Sequence, residues 1–309
     1  MTTPPSVRTP ATEARPAPGT RPVSEARPAP GTRHASELLR GIGESARQPV
    51  LVASWLVVLL AVGWAVAPAL FTSYGPYDGD TSASFAPPSA EHWFGTDRLG
   101  RDLFARTVYG AHTTLSATLL AVLIAFGIGT AVGLVAGFGG GAVDTAVMRV
   151  ADVFLAIPSL LLAMVVVSVL GYSTRNIALA VGISSIASFA RVMRAQVLTV
   201  VTQDYVRAAY GLGVGRAGVL FRHVVPNALS AVVALAALEV GTAVLAVASL
   251  GFLGYGAPPP EPEWGLLVAE GRDYVAAYPW TSVLPGAALA LVVIATHRIS
   301  TAYRKENRR

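Results

Sequence analysis

Five runs of this chain contain no charged residue: Val50–Phe71, Thr113–Val143, Val153–Thr174, Val240–Pro260 and Tyr274–Thr296. At about 1.5 Å of rise per residue, each is long enough as a helix to cross a hydrocarbon core of about 30 Å. Backbone polar groups have no water partner at that depth, so a spanning segment must satisfy them internally, as a helix does. A sixth segment, Asn176–Ala190, is shorter and bracketed by Arg175 and Arg191. Snorkelling arginines can extend such a segment to the interfaces. The expected fold class is an all-α polytopic membrane protein.

The basic residues decide whether the short segment crosses. With six crossings and the N-terminus inside, the inner segments 1–49, 138–149, 191–227 and 297–309 hold 18 of the 23 Lys+Arg. The outer five are Arg98, Arg101, Arg106, Arg175 and Arg272. Omitting the short crossing would place the five arginines of 191–227 outside, against the positive-inside bias. Six crossings with both termini cytoplasmic are therefore expected, the fifth running from about Ala228 to Leu250. Pro158 is expected to kink the third.

With 53% hydrophobic and 13% charged residues in 309, the chain is too apolar for a soluble domain of that length. There is no cysteine, which excludes disulfides, thiolate metal sites and Cys nucleophiles. Its single lysine, Lys305, lies between Arg304 and Glu306, so no Walker A loop exists and ATP chemistry must come from a partner. Histidines and hydroxyls form no catalytic constellation, no metal set is evident, and no nucleic acid partner is expected. Residues 1–46 are rich in Pro, Ala, Arg and Thr, and repeat EARPAPGTR at Glu13–Arg21 and Glu25–Arg33. That composition predicts a disordered cytoplasmic tail. The remainder divides into 47–111, a first crossing with an outer segment; 112–303, a transmembrane core; and 304–309, a basic cytoplasmic end.

Polar segments between the runs carry the candidate sites. The longest inner one, Gln203–Asn227, reads QDYVRAAYGLGVGRAGVLFRHVVPN. A short helix begins at Asp204, Tyr205 and Arg207, with the small pair Ala208 and Ala209; Gly213 interrupts it, and a second helical stretch bearing Arg222 and His223 ends near Pro226. The spacing fits a compact knob seated in a partner's groove, and equally an ordinary amphipathic connection. His92–Leu115 places Gly95, Thr96, Asp97, Gly100, Arg101 and Asp102, with Arg98 and Arg106, on the outer side. Self-satisfied ion pairs explain these charges better than catalysis does.

Two further stretches are less committal. In Gly133–Met164, Gly133 and Gly137 allow close helix approach, and Asp144 and Asp152 are expected to pair with Arg149. Ser249–Gly271 presents Glu261, Glu263, Glu270 and, just beyond, Asp273 as exposed acids for a basic substrate or docking protein, or simply as solvated residues. Aromatics Phe252, Tyr255, Trp264 and Tyr274 suit an interface belt. Glu239 is the one ionisable residue well inside a crossing. It reads either as a contact on a translocation path or as a hydrogen-bonding group to a neighbouring helix.

These blocks resemble ABC importer permeases of the dipeptide, oligopeptide and nickel branch. The inner segment is similar to their Glu-Ala-Ala loop through Ala208, Ala209, Gly213 and Pro226, with Arg222-His223 and Pro226-Asn227 as branch-specific words. Arg207 stands where that family has glutamate. The outer block resembles the Gly-Thr-Asp-x-x-Gly-Arg-Asp signature, with His112 replacing an arginine, and Phe252–Gly256, Pro258–Pro259, Trp264–Gly265 and Glu270–Arg272 match a further succession. Val247 replaces another family glutamate. The resemblance implies a type I importer permease in the cell membrane, its core at 112–303 and its coupling loop near 203–227. It implies a second permease (most simply a heterodimer), two cytoplasmic ATP-binding subunits carrying ATP and Mg, and an extracytoplasmic substrate-binding protein. Di- or oligopeptides are the implied cargo, with nickel chelates or another small solute on the same scaffold. An ion-coupled secondary transporter using Glu239 is the alternative from a different class.

Overall fold

The computed structural model describes residues 49–306, and the regular structure among them is helical. The expectations for the 1–46 tail and its repeat fall outside the described residues. In chain order the helices are α1 (Pro49–Val66), α2 (Leu103–Gly139), α3 (Gly141–Ala156), α4 (Ser159–Leu170), α5 (Thr174–Val201) and α6 (Asp204–Gly211). They continue with α7 (Arg216–Phe252, through a π-helical turn at Leu220–Val224), α8 (Trp264–Arg272) and α9 (Trp280–Glu306). Among the described residues, α1, α2, α5, α7 and α9 are long and apolar enough to cross a membrane, and α3 with α4 make a sixth span if the bent pair counts as one.

That bent pair corrects the expectation of a kinked third helix. Pro158 clashes with a helical Ile157, which is instead extended at φ −92°, ψ 130°. The helix breaks there and the two pieces meet at 94°. The short crossing, by contrast, is a full helix of 28 residues that carries Arg191 and Arg194 beyond the predicted end at Ala190. α2 is also longer than its uncharged run, because Asp102 caps it by accepting from the Ala105 amide at 2.6 Å.

α5 lies at the centre, packed on α2, α7 and α4. Its approach to α2 is set by glycine. A Cβ on Gly129, Gly133 or Gly137 of α2 would come within 2.5 Å of Phe189 Cβ, 2.3 Å of the Ala190 carbonyl oxygen and 2.9 Å of Val197 Cβ, respectively. From the other side, a Cβ on Gly182 of α5 would meet the Ala121 carbonyl oxygen at 2.9 Å. The expected close approach at Gly133 and Gly137 is thus part of a longer seam. Trp55, Leu56, Leu59 and Val62 of α1 are exposed, the surface of a helix that faces lipid rather than water.

Candidate functional site

The Gln203–Asn227 segment folds as a knob at the Gly139 end of α2. Val206 and Ala209 are buried and join Val219, Val224 and Ala228 in one apolar cluster, which fixes α6 to the start of α7. Asp204, Tyr205, Arg207, Ala208 and Tyr210 face outward. The Ala pair therefore divides its work, Ala209 packing inward and Ala208 leaving a flat outer surface. Gly213, at φ +84°, turns the chain through a conformation few side chains adopt, and its amide donates to the Tyr210 carbonyl at 3.0 Å. Leu212 is 86% exposed and Phe221 68%, so the outer surface combines large apolar groups with charges.

Arg207 approaches Asp204 at 4.0 Å, with both side chains in solvent, a pairing of little energetic weight. His223 lies 6.2 Å, ring to ring, from Tyr205, and its carbonyl accepts from the Asn227 amide group at 2.6 Å. Arg222 is exposed. Pro226 has no N–H to give to the preceding turn, which fits the widened π-helical turn just before it.

The Gly95–Asp102 block sits at the opposite end of α2, a helix whose 37 residues extend about 55 Å. Gly95 and Gly100 are at φ +72° and +70°, and a Cβ on Gly100 would strike the Asp80 carbonyl. Thr96 Oγ1 donates to the Ala83 carbonyl and accepts from the Ala86 amide at 2.8 Å. Asp97 accepts from the Leu99 amide at 2.8 Å, the Arg101 amide at 3.0 Å, Arg101 Nε at 2.6 Å and Arg106 Nη1 at 2.8 Å. Asp102 also pairs with His92 Nδ1 at 2.8 Å. Arg98 joins no ion pair among the described residues; it lines a cavity of about 450 Å³ together with Leu99, Pro259, Glu270, Asp273 and Tyr274.

Five side chains depart from their sequence reading. Asp144 and Asp152 do not pair with Arg149; Asp144 accepts from Arg194 Nη2 at 2.6 Å and Asp152 from Arg191 Nη2 at 2.5 Å, which ties α3 to α5. Glu263 is 1% exposed rather than solvated. It caps α8, accepting from the Gly265 and Leu266 amides at 2.8 and 2.9 Å and from Thr114 Oγ1 at 3.2 Å. Burial pushes this carboxyl above the usual range, against the opposing pull of those three donors. Glu270 is committed to Arg106 at 2.8 Å, and Trp264 is fully buried rather than at an interface, donating to the Thr107 carbonyl at 2.8 Å. His112 and Val247, the two other departures from the family pattern, are accommodated locally. His112 Nδ1 is 2.9 Å from the Ala65 carbonyl oxygen, and Val247 is fully buried.

Midway along the bundle, Ser185 Oγ of α5 donates to Glu239 Oε1 of α7 at 2.6 Å. The sequence singled out Glu239 but missed Ser185. The available signal was the Ser184-Ser185 pair inside an apolar helix, since hydroxyls at such positions serve helix contacts.

Comparison with known proteins places this geometry. Residues 129–308 match the family described as binding-protein-dependent transport system inner membrane component. A dipeptide transport system permease protein of Alkalihalophilus pseudofirmus is 37% identical over 255 residues, 82% of this chain and 82% of that protein. A probable D,D-dipeptide transport system permease protein of Escherichia coli K12 is 39% identical, over 80% and 83%. A glutathione transport system permease protein of Pectobacterium atrosepticum is 37% identical, over 84% and 86%. A solved structure described as an amino acid ABC transporter with histidines shares the fold at TM-score 0.53 and 17% identity, over 67% of this chain and 95% of that one. With its spanning helices, this is a multi-pass membrane protein, and the chain belongs to the binding-protein-dependent transport system inner membrane component family.

Proposed function

We propose that this chain is one of two permeases in an ATP-driven importer of small peptides, and that α6 with the start of α7 receives the stroke of a cytoplasmic ATPase. Three relatives whose names specify dipeptide or glutathione transport support the cargo class. The basic bias of segments 1–49, 191–227 and 297–309 supports the orientation, with both termini and the knob inside. ATP and Mg belong to the ATPase partners, a binding protein delivers cargo at the Gly95–Asp102 end, and this chain catalyses no reaction.

The observation that carries the coupling role is the combination of a buried root and an exposed crown. Val206, Ala209, Val219 and Val224 make the knob one body with α7, while Tyr205, Arg207, Tyr210, Leu212 and Phe221 remain open. Force applied to the crown is then transmitted to a spanning helix rather than absorbed by a loop. Such a stroke shifts the bundle between inward- and outward-facing states only through contacts that differ between them. In place of the glutamate of related loops, Arg207 presents a positive charge, and an acidic partner surface is its natural complement.

The test is copurification of the ATPase subunits with the full chain, wild type against Gly213→Pro. Proline cannot adopt φ +84° and lacks the amide that bonds Tyr210, so the knob is lost while the spans remain. The ATPase is expected to accompany the wild type and to leave the folded variant. A folded wild type that captures no ATPase from its own operonic or co-expressed partners overturns the reading.

A further inference from the structure

Glu239 presents a carboxylate at mid-bundle with one half of it uncommitted. Its Oε1 accepts from Ser185 Oγ at 2.6 Å. Its Oε2 accepts nothing from the described residues, and no Lys, Arg or His among them pairs with it. Glu239 is near the middle of the Val225–Phe252 helical stretch and Ser185 near the middle of α5, so both lie close to the midplane of the bundle. A charged carboxylate at that depth costs about 2.5–3.5 kcal/mol on insertion scales, and such a position persists where a partner or a wet path offsets it.

Beside the carboxylate is a cavity of about 40 Å³ lined by Ser159, Leu160, Ser184, Ser185, Thr242 and Ala243. A single water needs only about 10–15 Å³ by the same kind of measure. The space therefore admits a group the size of an ammonium and not a whole peptide. The wall is mostly apolar, with Leu160, Ala163, Val181, Ala243 and Ala246, and the Ser184 hydroxyl donates to the Val181 carbonyl at 2.8 Å; Glu239 is the one charged group that lines it, so the site has one sign. Ser159 and Leu160 come from the first turn of α4, directly after the 94° break, which joins the cavity to the most irregular segment of the spanning core.

We infer that Glu239, held by Ser185, is the transport-path contact for the protonated amino group of the cargo. This inference rests on the peptide-import reading given above. It makes Glu239 a specificity-determining residue, with the remainder of the peptide lying in space shared with the second permease. Ser185 acts as a positioning residue, since it fixes one carboxylate oxygen and leaves the other free to accept from the ammonium.

The experiment is ATP-driven uptake of radiolabelled dialanine and N-acetyl-dialanine by the complete importer in membrane vesicles, read as the ratio of the two. Glu239→Gln is expected to reduce the preference for the free amine about tenfold, the effect of losing a hydrogen bond to a charged group. Glu239→Asp should restore part of it, with ATPase copurification unchanged in both. A ratio unaltered by Glu239→Gln, with uptake of both probes falling together or not at all, overturns the amine contact alone. A wild-type importer that hydrolyses ATP yet takes up neither probe overturns the peptide reading and the contact with it.

Discussion

Arg106 Nη1 donates to Asp97 Oδ2 at 2.8 Å while the Arg106 side chain is fully buried. The same nitrogen reaches Glu270 of α8 at 2.8 Å, and Nη2 reaches the Pro260 carbonyl at 3.3 Å. One guanidinium thus holds together the first turns of α2, the Gly95–Asp102 loop and the segment around α8. The signature at this end of the molecule is a structural fastening, and Arg98 and Asp273 stand exposed at the rim of the adjoining cavity.

Removing Arg106 should therefore be far worse than removing one of its partners. Arg106→Met leaves buried Asp97 with Arg101 alone, and breaking a buried ion pair costs about 3–5 kcal/mol. Glu270 is 26% exposed and shares its arginine with Asp97, so Glu270→Gln should cost about 1 kcal/mol or less. Thermal inactivation of the purified chain, followed by the loss of the monodisperse peak in size-exclusion chromatography, gives the order. Equal losses for the two variants would contradict the central role of Arg106.

The α2–α5 seam makes a contrast within a single helix. Gly133→Ala puts a methyl group 2.3 Å from the Ala190 carbonyl oxygen and 2.8 Å from Met193 Cβ, a backbone contact that cannot rotate away. Overpacking of that kind costs about 1–3 kcal/mol. Gly127 lies on the same helix with nothing within 4 Å of an added Cβ, so Gly127→Ala should be neutral or stabilising, by up to about 1 kcal/mol of helix propensity. Melting temperatures of the two variants moving in opposite directions is the expected result.

The apolar spanning segments and the Gly133–Gly137 part of the seam were legible because they depend on local composition and spacing, whereas the break at Pro158 read only as a kink. The Asp97–Arg101 pairing was legible for the same reason, four residues apart within one turn-rich block. Partners distant in sequence were not. Asp144 finds Arg194 across 50 residues, and the nearer Arg149 points elsewhere, because sequence gives separation along a helix and not the direction a broken helix takes. Glu263 read as a solvated acid among Glu261 and Glu270; what buries it is the return of the chain against Thr114 and Gly251, where an added Cβ would sit 1.9 Å from Glu263 Oε2. The outward crown of the knob was half legible. Tyr205 and Arg207 were named, but Tyr210, Leu212 and Phe221, the last two its most exposed large apolar groups, matched no motif.

Glu263 carries a pH signature whose sign follows from its burial. The folded state holds this carboxyl above its ordinary value, so at intermediate pH the folded chain binds the proton more readily than the unfolded one. Its contribution to stability is therefore complete at low pH and declines as pH rises from the ordinary carboxylate value through the raised folded one. Glu263→Gln cannot ionise and lacks that decline. The difference in melting temperature, wild type minus variant, should fall as pH is raised from about 4.5 upward. A difference that grows with pH would mean the three donors, rather than burial, dominate.

The pairing of Asp144 with Arg194 is the clearest test of how α3 is held. The guanidinium offers Nε and Nη2 to the two carboxylate oxygens, with Nη2 to Oδ2 at 2.6 Å, and both groups are only partly exposed. This forked geometry ties the helix before the Pro158 break to the central α5, where Asp152–Arg191 makes a second, more exposed tie. Asp144→Ala and Arg194→Ala should each destabilise the chain, but the double variant should cost less than their sum. A coupling of about 1 kcal/mol is expected, since paired groups in contact give interaction energies of about 0.5–3 kcal/mol. The charge-swapped double variant, Asp144→Arg with Arg194→Asp, should recover part of the loss, whereas Asp144→Ala with Arg149→Ala should be additive because those two residues share no contact. Additive costs for Asp144 and Arg194 would show that this clasp does not hold α3, leaving its apolar face and the Asp152–Arg191 pair, and the 94° break would then owe nothing to the clasp.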